Sequence, residues 1–209
     1  DKGEICIKGD NVMLGYWNNP TATAETIKNG WLHTGDMGYV DKDGFLYVLG
    51  RFKSLLIGND GEKYSPEGIE EALADGSKYI EQVVLHNNQS PYTTALLVPN
   101  KEQLKQYVTK EKHLNWNDET GKKAALLKLQ EEINAYLKGG KYAGQFPERW
   151  LPTAIAVISE PFSEQNGLVN STMKIMRSKV EERYADRIAA LYQNGAKDIG
   201  NGLNMGALG

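Results

Sequence analysis

Gly30-Trp31-Leu32-His33-Thr34-Gly35-Asp36, followed by Gly50-Arg51-Phe52-Lys53, is the stretch on which the reading of this chain turns. Between these segments, Gly38-Tyr39-Val40 and Phe45-Leu46-Tyr47-Val48-Leu49 flank Asp41-Lys42-Asp43-Gly44. Asp-Gly between aromatic and β-branched residues predicts a hairpin. Its open end then carries one carboxylate, Asp36, and one guanidinium, Arg51. A carboxylate there can accept hydrogen bonds from two vicinal hydroxyls, as a ribose presents them. The five donors of Arg51 suit ribose oxygens, a phosphate or Asp36 itself. Taken singly, Thr34-Gly35-Asp36 reads as a turn in which Asp36 caps backbone N–H groups, and Arg51 as a surface residue after a strand.

Working outward, residues 5–8 alternate as a short strand, 15–20 form a loop, and 21–27 form a short helix with Thr21 near its N-cap. Lys53 sits at a break between two β units, where a solvated lysine and a hinge are both open. A second hairpin is expected from residues 54–57 and 62–64 around Gly58-Asn59-Asp60-Gly61. Ser65-Pro66-Glu67 opens a helix, Ser65 offering a capping hydroxyl, and Asp75-Gly76 ends it. Three β runs follow at 81–86, 93–98 and 153–158. The first two are joined by a hairpin-length loop at 87–91. Helices are expected at 101–112, 119–137 and 178–193. Ala125, Leu126, Leu129, Ile133 and Leu137 supply helical spacing in the second. This order predicts an α+β fold: a small β subdomain, then an α+β domain with a mostly antiparallel three-stranded sheet, a β-hairpin and packed helices. Residues 194–209 hold five glycines and no aromatic residue, and read as a flexible end.

The 209 residues are 40% hydrophobic and 24% charged with a net charge of -3, a globular composition without the basic footprint of a nucleic-acid partner. No apolar run reaches the roughly 20 residues of a membrane helix. The opening Asp1-Lys2-Gly3-Glu4 is polar, no signal peptide is expected, and the lack of an initiator Met fits a piece of a larger protein. Cys6 is the single cysteine, so no internal disulfide is expected and a packed strand thiol is the simplest reading. His33, His86 and His113 are scattered without ligand spacing, and no metal site is expected. Lys174, in Asn170-Ser171-Thr172-Met173-Lys174-Ile175-Met176-Arg177, lies just before an expected helix start. That end of a helix is electrostatically poor for a cation, and a loop lysine can meet negative charge developing in a cleft.

Taken in order, these segments resemble the adenylate-forming synthetases, which include acyl-CoA synthetases, peptide-synthetase adenylation domains and firefly luciferase. Val12-Met13-Leu14-Gly15-Tyr16-Trp17 resembles the family's Gly-Tyr segment, and Gly30-Trp31 through Gly38-Tyr39 its Thr-Gly-Asp motif. Asp43-Gly44-Phe45-Leu46 leading to Gly50-Arg51 resembles the next motif, and Lys53 falls at the family's Asp or Lys hinge. Gly61-Glu62-Lys63-Tyr64-Ser65-Pro66-Glu67-Gly68-Ile69-Glu70 is similar to a segment of the long-chain acyl-CoA synthetase branch. Ser171 to Arg177 resembles the terminal lysine motif.

The resemblance implies that ATP and a fatty acid give an acyl-adenylate and pyrophosphate, and that CoA then displaces AMP. Thr34, Asp36 and Arg51 would contact the nucleotide, Lys174 would be catalytic in adenylation, and Lys53 would be the pivot. The hairpin with Gly58, Gly61 and Lys63 would line the CoA tunnel. Residues 1–50 would then end an N-terminal adenylation domain, 51–193 would form the mobile C-terminal domain, and 194–209 a Gly-rich tail. The phosphate loop, the acyl pocket and the Mg²⁺ ligands would lie outside this chain, in the N-terminal domain that is its expected partner, so the isolated chain is expected to be inactive. The expected location is cytoplasmic, with a peripheral place at the inner membrane open to the full-length protein. Two alternatives stand beside this: a stand-alone nucleotide-binding or regulatory module of the same fold, and transfer to an acyl-carrier protein instead of CoA. Two departures from the family pattern are Gly68 where Glu is common, which removes a capping box, and Met173 where many members have Gly. The helical stretch 101–150 is also longer than in the smaller acyl-CoA synthetases.

Overall fold

A computed structural model describes residues 2–209; Asp1 of the polar opening lies outside them. The chain divides into two compact units, Asp1–Leu55 and Leu56–Gly209.

The first unit is an antiparallel sheet with one short helix. It contains β1 (Gly3–Ile7), α1 (Pro20–Thr26), β2 (Ile27–Lys28), β3 (Trp31–Val40) and β4 (Leu46–Arg51). The long β3 pairs with β1, β2 and β4 along different parts of its length. The Asp41–Phe45 turn forms where the Asp-Gly signal places it: Asp41 Oδ1 accepts the N–H groups of Asp43 and Phe45, each at 2.9 Å. Helix α1 is capped by Asn19, whose side chain accepts the Ala22 N–H at 3.0 Å, so the cap lies two residues before the expected Thr21. Little of this unit is buried. Trp17, Phe45, Leu46 and Val48 are all exposed.

The second unit begins with the hairpin β5 (Leu56–Gly58) and β6 (Lys63–Tyr64), followed by α2 (Glu67–Asp75). Then come β7 (Ile80–His86), β8 (Asn88–Ser90), β9 (Thr94–Pro99), α3 (Lys101–Gln106) and α4 (Glu119–Asn134). The unit closes with β10 (Ala154–Val157), α5 (Arg177–Arg183), α6 (Ala185–Ala190) and α7 (Gly202–Ala207). The α+β architecture expected from the element order is the observed one. The central sheet has the order β10-β9-β7, with β9 antiparallel to β7 and parallel to β10. The parallel return is possible because the helical stretch from α3 to residue 150 carries the chain back across the sheet.

Helices cover both faces of this sheet, which is why β9 and β10 read as unbroken apolar runs rather than alternations. Val83, Leu85, Ala95, Leu97, Ile155 and Val157 pack in one cluster with Ile69 and Leu73 of α2 and Leu126, Leu129 and Ile133 of α4. Val84, Leu96, Val98, Ala154 and Ala156 pack on the other side with Val180, Ile188 and Leu191. Each fully buried Leu or Ile contributes about 1.5–3 kcal/mol relative to exposure.

Four local expectations differ from the fold. The 87–91 loop holds the short strand β8, which pairs in parallel with β5. Ser65 does not cap α2; Pro66 occupies the N-cap position in a helical conformation without a side-chain cap bond. The last helix is broken at Tyr184 into α5 and α6. The glycine-rich end is docked. Ile199 and Leu208 are buried in the main core, and Asn204 is buried with all its polar atoms used. Its Oδ1 accepts the Val157 N–H at 2.9 Å, and its Nδ2 donates to the carbonyls of Ile155 at 2.9 Å and Ile199 at 3.1 Å. Composition could not reveal this, since a single amide inserted at the edge strand β10 outweighs five glycines.

Candidate functional site

Strand β3 assembles the first site by pairing. Asp36 is the register partner of Arg51 on β4, and Arg51 Nε stands 3.3 Å from Asp36 Oδ1. Arg51 also donates to the Thr34 carbonyl at 3.2 Å, so one guanidinium spans both ends of the Thr-Gly-Asp triplet. The triplet is not a turn. It lies inside β3, and the Thr34 hydroxyl donates to the Ile5 carbonyl at 2.8 Å and accepts the Asp36 N–H at 3.0 Å. Gly35 has φ +76°, and a Cβ there would stand 3.3 Å from Arg51 Nη2, so glycine lets the strand kink beneath the guanidinium. Thr34, Arg51 and Lys53 line one cleft of about 610 Å³, together with Glu4, Lys28 and His33. Lys53 lies in the 3₁₀ turn Phe52–Ser54 that follows β4, just before the division between the two units.

Pairing of β1 with β3 sets Cys6 opposite His33. His33 Nδ1 is 2.7 Å from Glu4 Oε2 and 3.6 Å from Cys6 Sγ, while Glu4 Oε1 accepts the Gly35 N–H at 3.1 Å. Hydrogen bonding to His33 holds the Glu4 carboxyl below the usual carboxylate range. Glu4, Cys6 and His33 are the one group among the described residues whose possible ligand atoms converge, all within 4.8 Å. Linear spacing hid this cluster because a strand pairing, not a helix, brings its members together. A thiol and an imidazole do not suit Mg²⁺, which takes oxygen ligands, so the group does not fit that ion.

In the second unit, Lys174 closes a tight loop. Asn170 Oδ1 accepts the N–H groups of Thr172 at 3.0 Å and Lys174 at 2.9 Å, and the Lys174 carbonyl accepts the Asn170 N–H at 2.9 Å. Met173 has φ +60°, in the left-handed region that glycine occupies without penalty. The Lys174 side chain is exposed and makes no ion pair among the described residues. Gly58, Gly61 and Lys63 lie on the β5–β6 hairpin, whose tip is closed by Gly61 N–H to Gly58 O at 3.0 Å and Glu62 N–H to Asp60 Oδ1 at 2.9 Å.

No family model matches the chain. Among curated proteins it is 31% identical over 199 residues to long chain acyl-CoA synthetase 8 of Arabidopsis thaliana, covering 91% of this chain and 27% of the relative. Among solved structures it resembles the adenylation domain of a carboxylate reductase from Mycobacterium chelonae, with TM-score 0.75, 27% identity, and 91% and 28% of the two chains covered. Its curated homologues are long-chain acyl-CoA synthetases, and the solved structures it resembles are adenylation domains. The A domain of a carboxylic acid reductase from Segniliparus rugosus, solved with AMP and a co-purified carboxylic acid, is also similar: TM-score 0.70, 26% identity, 91% of this chain and 28% of that one. The chain thus spans about three-tenths of the length of these proteins. No helix among the described residues is long and apolar enough to cross a membrane.

Two side chains of the segment carry the Lys174 loop without having been assigned a role from sequence. Arg177 Nη2 donates to both oxygens of Glu70 at 2.7 Å, and its Nη1 donates to the Leu85 carbonyl at 2.6 Å. Glu70 Oε1 in turn accepts the Leu85 N–H at 2.6 Å. This pair ties the start of α5 to α2 and β7, three residues after Lys174. Burial pushes the Glu70 carboxyl up, against the opposing pull of Arg177. Both residues stand inside the quoted motifs, but only the fold shows that they meet.

Proposed function

We propose that this chain is the C-terminal part of an AMP-forming fatty acyl-CoA synthetase. The observation that carries the reading is the cross-strand pairing of Asp36 with Arg51 beside Thr34. It leaves Asp36 Oδ2 to accept from ribose hydroxyls while Arg51 holds the carboxylate in place. Homology to an acyl-CoA synthetase and likeness to an adenylation domain solved with AMP support it.

In the first half-reaction a fatty-acid carboxylate oxygen attacks the α-phosphorus of ATP, a P–O bond breaks, and pyrophosphate leaves. Lys174 contributes a cation to the oxygens whose negative charge shifts as this occurs. In the second, a thiol sulfur attacks the acyl carbonyl and AMP departs. One site cannot hold the adenylating lysine and the incoming thiol together. Rotation about Lys53 exchanges Lys174 for the β5–β6 hairpin, which lines the thiol's approach. Mg²⁺, held by ligands outside this chain, would supply positive charge to the ATP phosphates. The exposed apolar residues of the first unit, Trp17, Phe45, Leu46 and Val48, fit a sheet that completes its packing against the remainder of an adenylation domain.

The test is fatty-acid-dependent ATP–pyrophosphate exchange by the full-length protein, followed by thioester formation with CoA and with an acyl-carrier protein in parallel. Exchange that ignores added fatty acid refutes the reading. Acyl-CoA formation by the isolated 209-residue chain would show that it needs no partner domain.

A further inference from the structure

The β5–β6 hairpin is held from the side by a part of the chain distant in sequence. Glu62 accepts Arg149 Nε at 2.6 Å, Arg149 Nη2 at 2.8 Å and Trp150 Nε1 at 2.9 Å. The Tyr64 ring lies flat on the Trp150 ring, with centroids 5.0 Å apart and planes 4° apart. The Arg149 carbonyl accepts the hydroxyl of buried Thr93 at 3.3 Å, and Glu148 Oε1 accepts the Lys138 N–H at 2.8 Å. The 3₁₀ turn Glu148–Trp150, which ends the helical stretch between β9 and β10, is therefore anchored to Thr93 just before β9, to the region after α4 and to the hairpin.

We infer that this turn is a positioning clamp for the hairpin, and that it governs attack by the pantetheine thiol rather than adenylation. The inference rests on the proposed placement of the hairpin beside the thiol's path. A carboxylate gripped by a guanidinium fork and an indole N–H has both its position and its plane set. The hairpin needs such a restraint, because Gly58 and Gly61 flank an exposed tip and Gly61 adopts φ +80°. The clamp adds little to global stability, since the Arg149 and Glu62 side chains are 60% and 33% exposed. Its effect is on where Glu62, the last residue of the tip, is held. Misplacing a reacting thiol by about 1 Å can slow a reaction about a hundredfold. Residues 101–150 thereby gain a role: they carry the turn that fixes the hairpin.

Glu62→Gln, Arg149→Ala and Trp150→Phe in the full-length protein test this, with both half-reactions measured. Adenylation is read by ATP–pyrophosphate exchange, and thioester formation by single-turnover transfer of pre-made acyl-adenylate to CoA. The expected result is transfer slowed about fivefold or more, or an equivalent rise in KM for CoA, with adenylation within about twofold of wild type. The Glu62→Gln/Arg149→Ala double variant should be no worse than the poorer single one, and Arg149→Lys should fall in between. Amide hydrogen exchange of residues 58–63 should quicken in the variants. Unchanged transfer, or an equal fall in both half-reactions, overturns the inference. A wild-type protein that fails to adenylate refutes the proposed function instead, and unchanged exchange at 58–63 then overturns the clamp separately.

Discussion

Asp36 and Arg51 face each other across β3 and β4, with Arg51 Nε 3.3 Å from Asp36 Oδ1 and side-chain exposures of 40% and 63%. A pair this open contributes little to stability. What it fixes is the position of the Asp36 carboxylate on β3, next to Thr34 and Gly35 of the cleft lining.

Asp36→Ala in the full-length protein should weaken AMP binding roughly tenfold to a hundredfold, the loss expected for hydrogen bonds to a charged acceptor. Calorimetry with AMP and with an analogue lacking both ribose hydroxyls checks the assignment. Wild type should discriminate between the two, and the variant should not. Discrimination retained by the variant would remove Asp36 from the ribose site.

Lys174→Ala should suppress acyl-adenylate formation about a hundredfold to a thousandfold, the range for loss of one preorganised charge-stabilising group. Transfer from pre-made acyl-adenylate to CoA should change far less. Equal losses in both steps would contradict a role confined to adenylation.

Met173→Gly should remove a left-handed penalty of about 1–2 kcal/mol, partly offset by the greater chain freedom of glycine. Met173 is exposed, so no packing is lost. Denaturant unfolding should show no destabilisation, whereas Met173→Val should be clearly destabilising. The opposite order would mean that the loop does not hold this conformation.

The N–H groups of Phe45 and Asp43 hold the Asp41 carboxyl below its ordinary value of 3.8, with the Phe45 bond the largest cause. Between that ordinary value and the lower folded one, the unfolded chain binds more protons. The contribution is therefore present above the ordinary value and lost as pH falls through the folded one. Acid titration of the Phe45 amide by NMR should show this step below pH 3.8, and Asp41→Ala should abolish it.

Asn204→Ala would leave the Val157 N–H and the Ile155 and Ile199 carbonyls without their partner. A cost of about 2–4 kcal/mol is expected, since each unsatisfied buried group costs about 1–3 kcal/mol and water recovers part of it. Thermal unfolding measures it. An unchanged midpoint would mean that the 194–209 segment is not docked.

Much of the fold was legible where local chemistry governs. Asp43-Gly44 specified a turn, the spacing of Leu126, Leu129 and Ile133 specified a helix, and the apolar runs at β9 and β10 specified buried strands. Elements were misjudged where a distant partner decided the outcome. Taken singly, Thr34-Gly35-Asp36 reads as a turn capped by Asp36, yet β1 keeps Gly35 in a strand through Glu4 and Thr34. The 194–209 segment was read as loose because glycine dominates it, yet Asn204 stitches it to β10.

By itself, the sequence determined which residues can do chemistry and in what order they occur. Local type and motif order single out Asp36, Arg51, Lys53 and Lys174 as candidates. Only the tertiary structure decided how they are held. Strand register put Asp36 against Arg51, a half-buried ion pair of Glu70 and Arg177 rooted the Lys174 loop, and Arg149 reached across 87 residues to Glu62. The physical reason is range. Turn and helix signals act over a few residues, whereas register, half-buried ion pairs and cross-chain clamps depend on surfaces that exist only once the chain has packed.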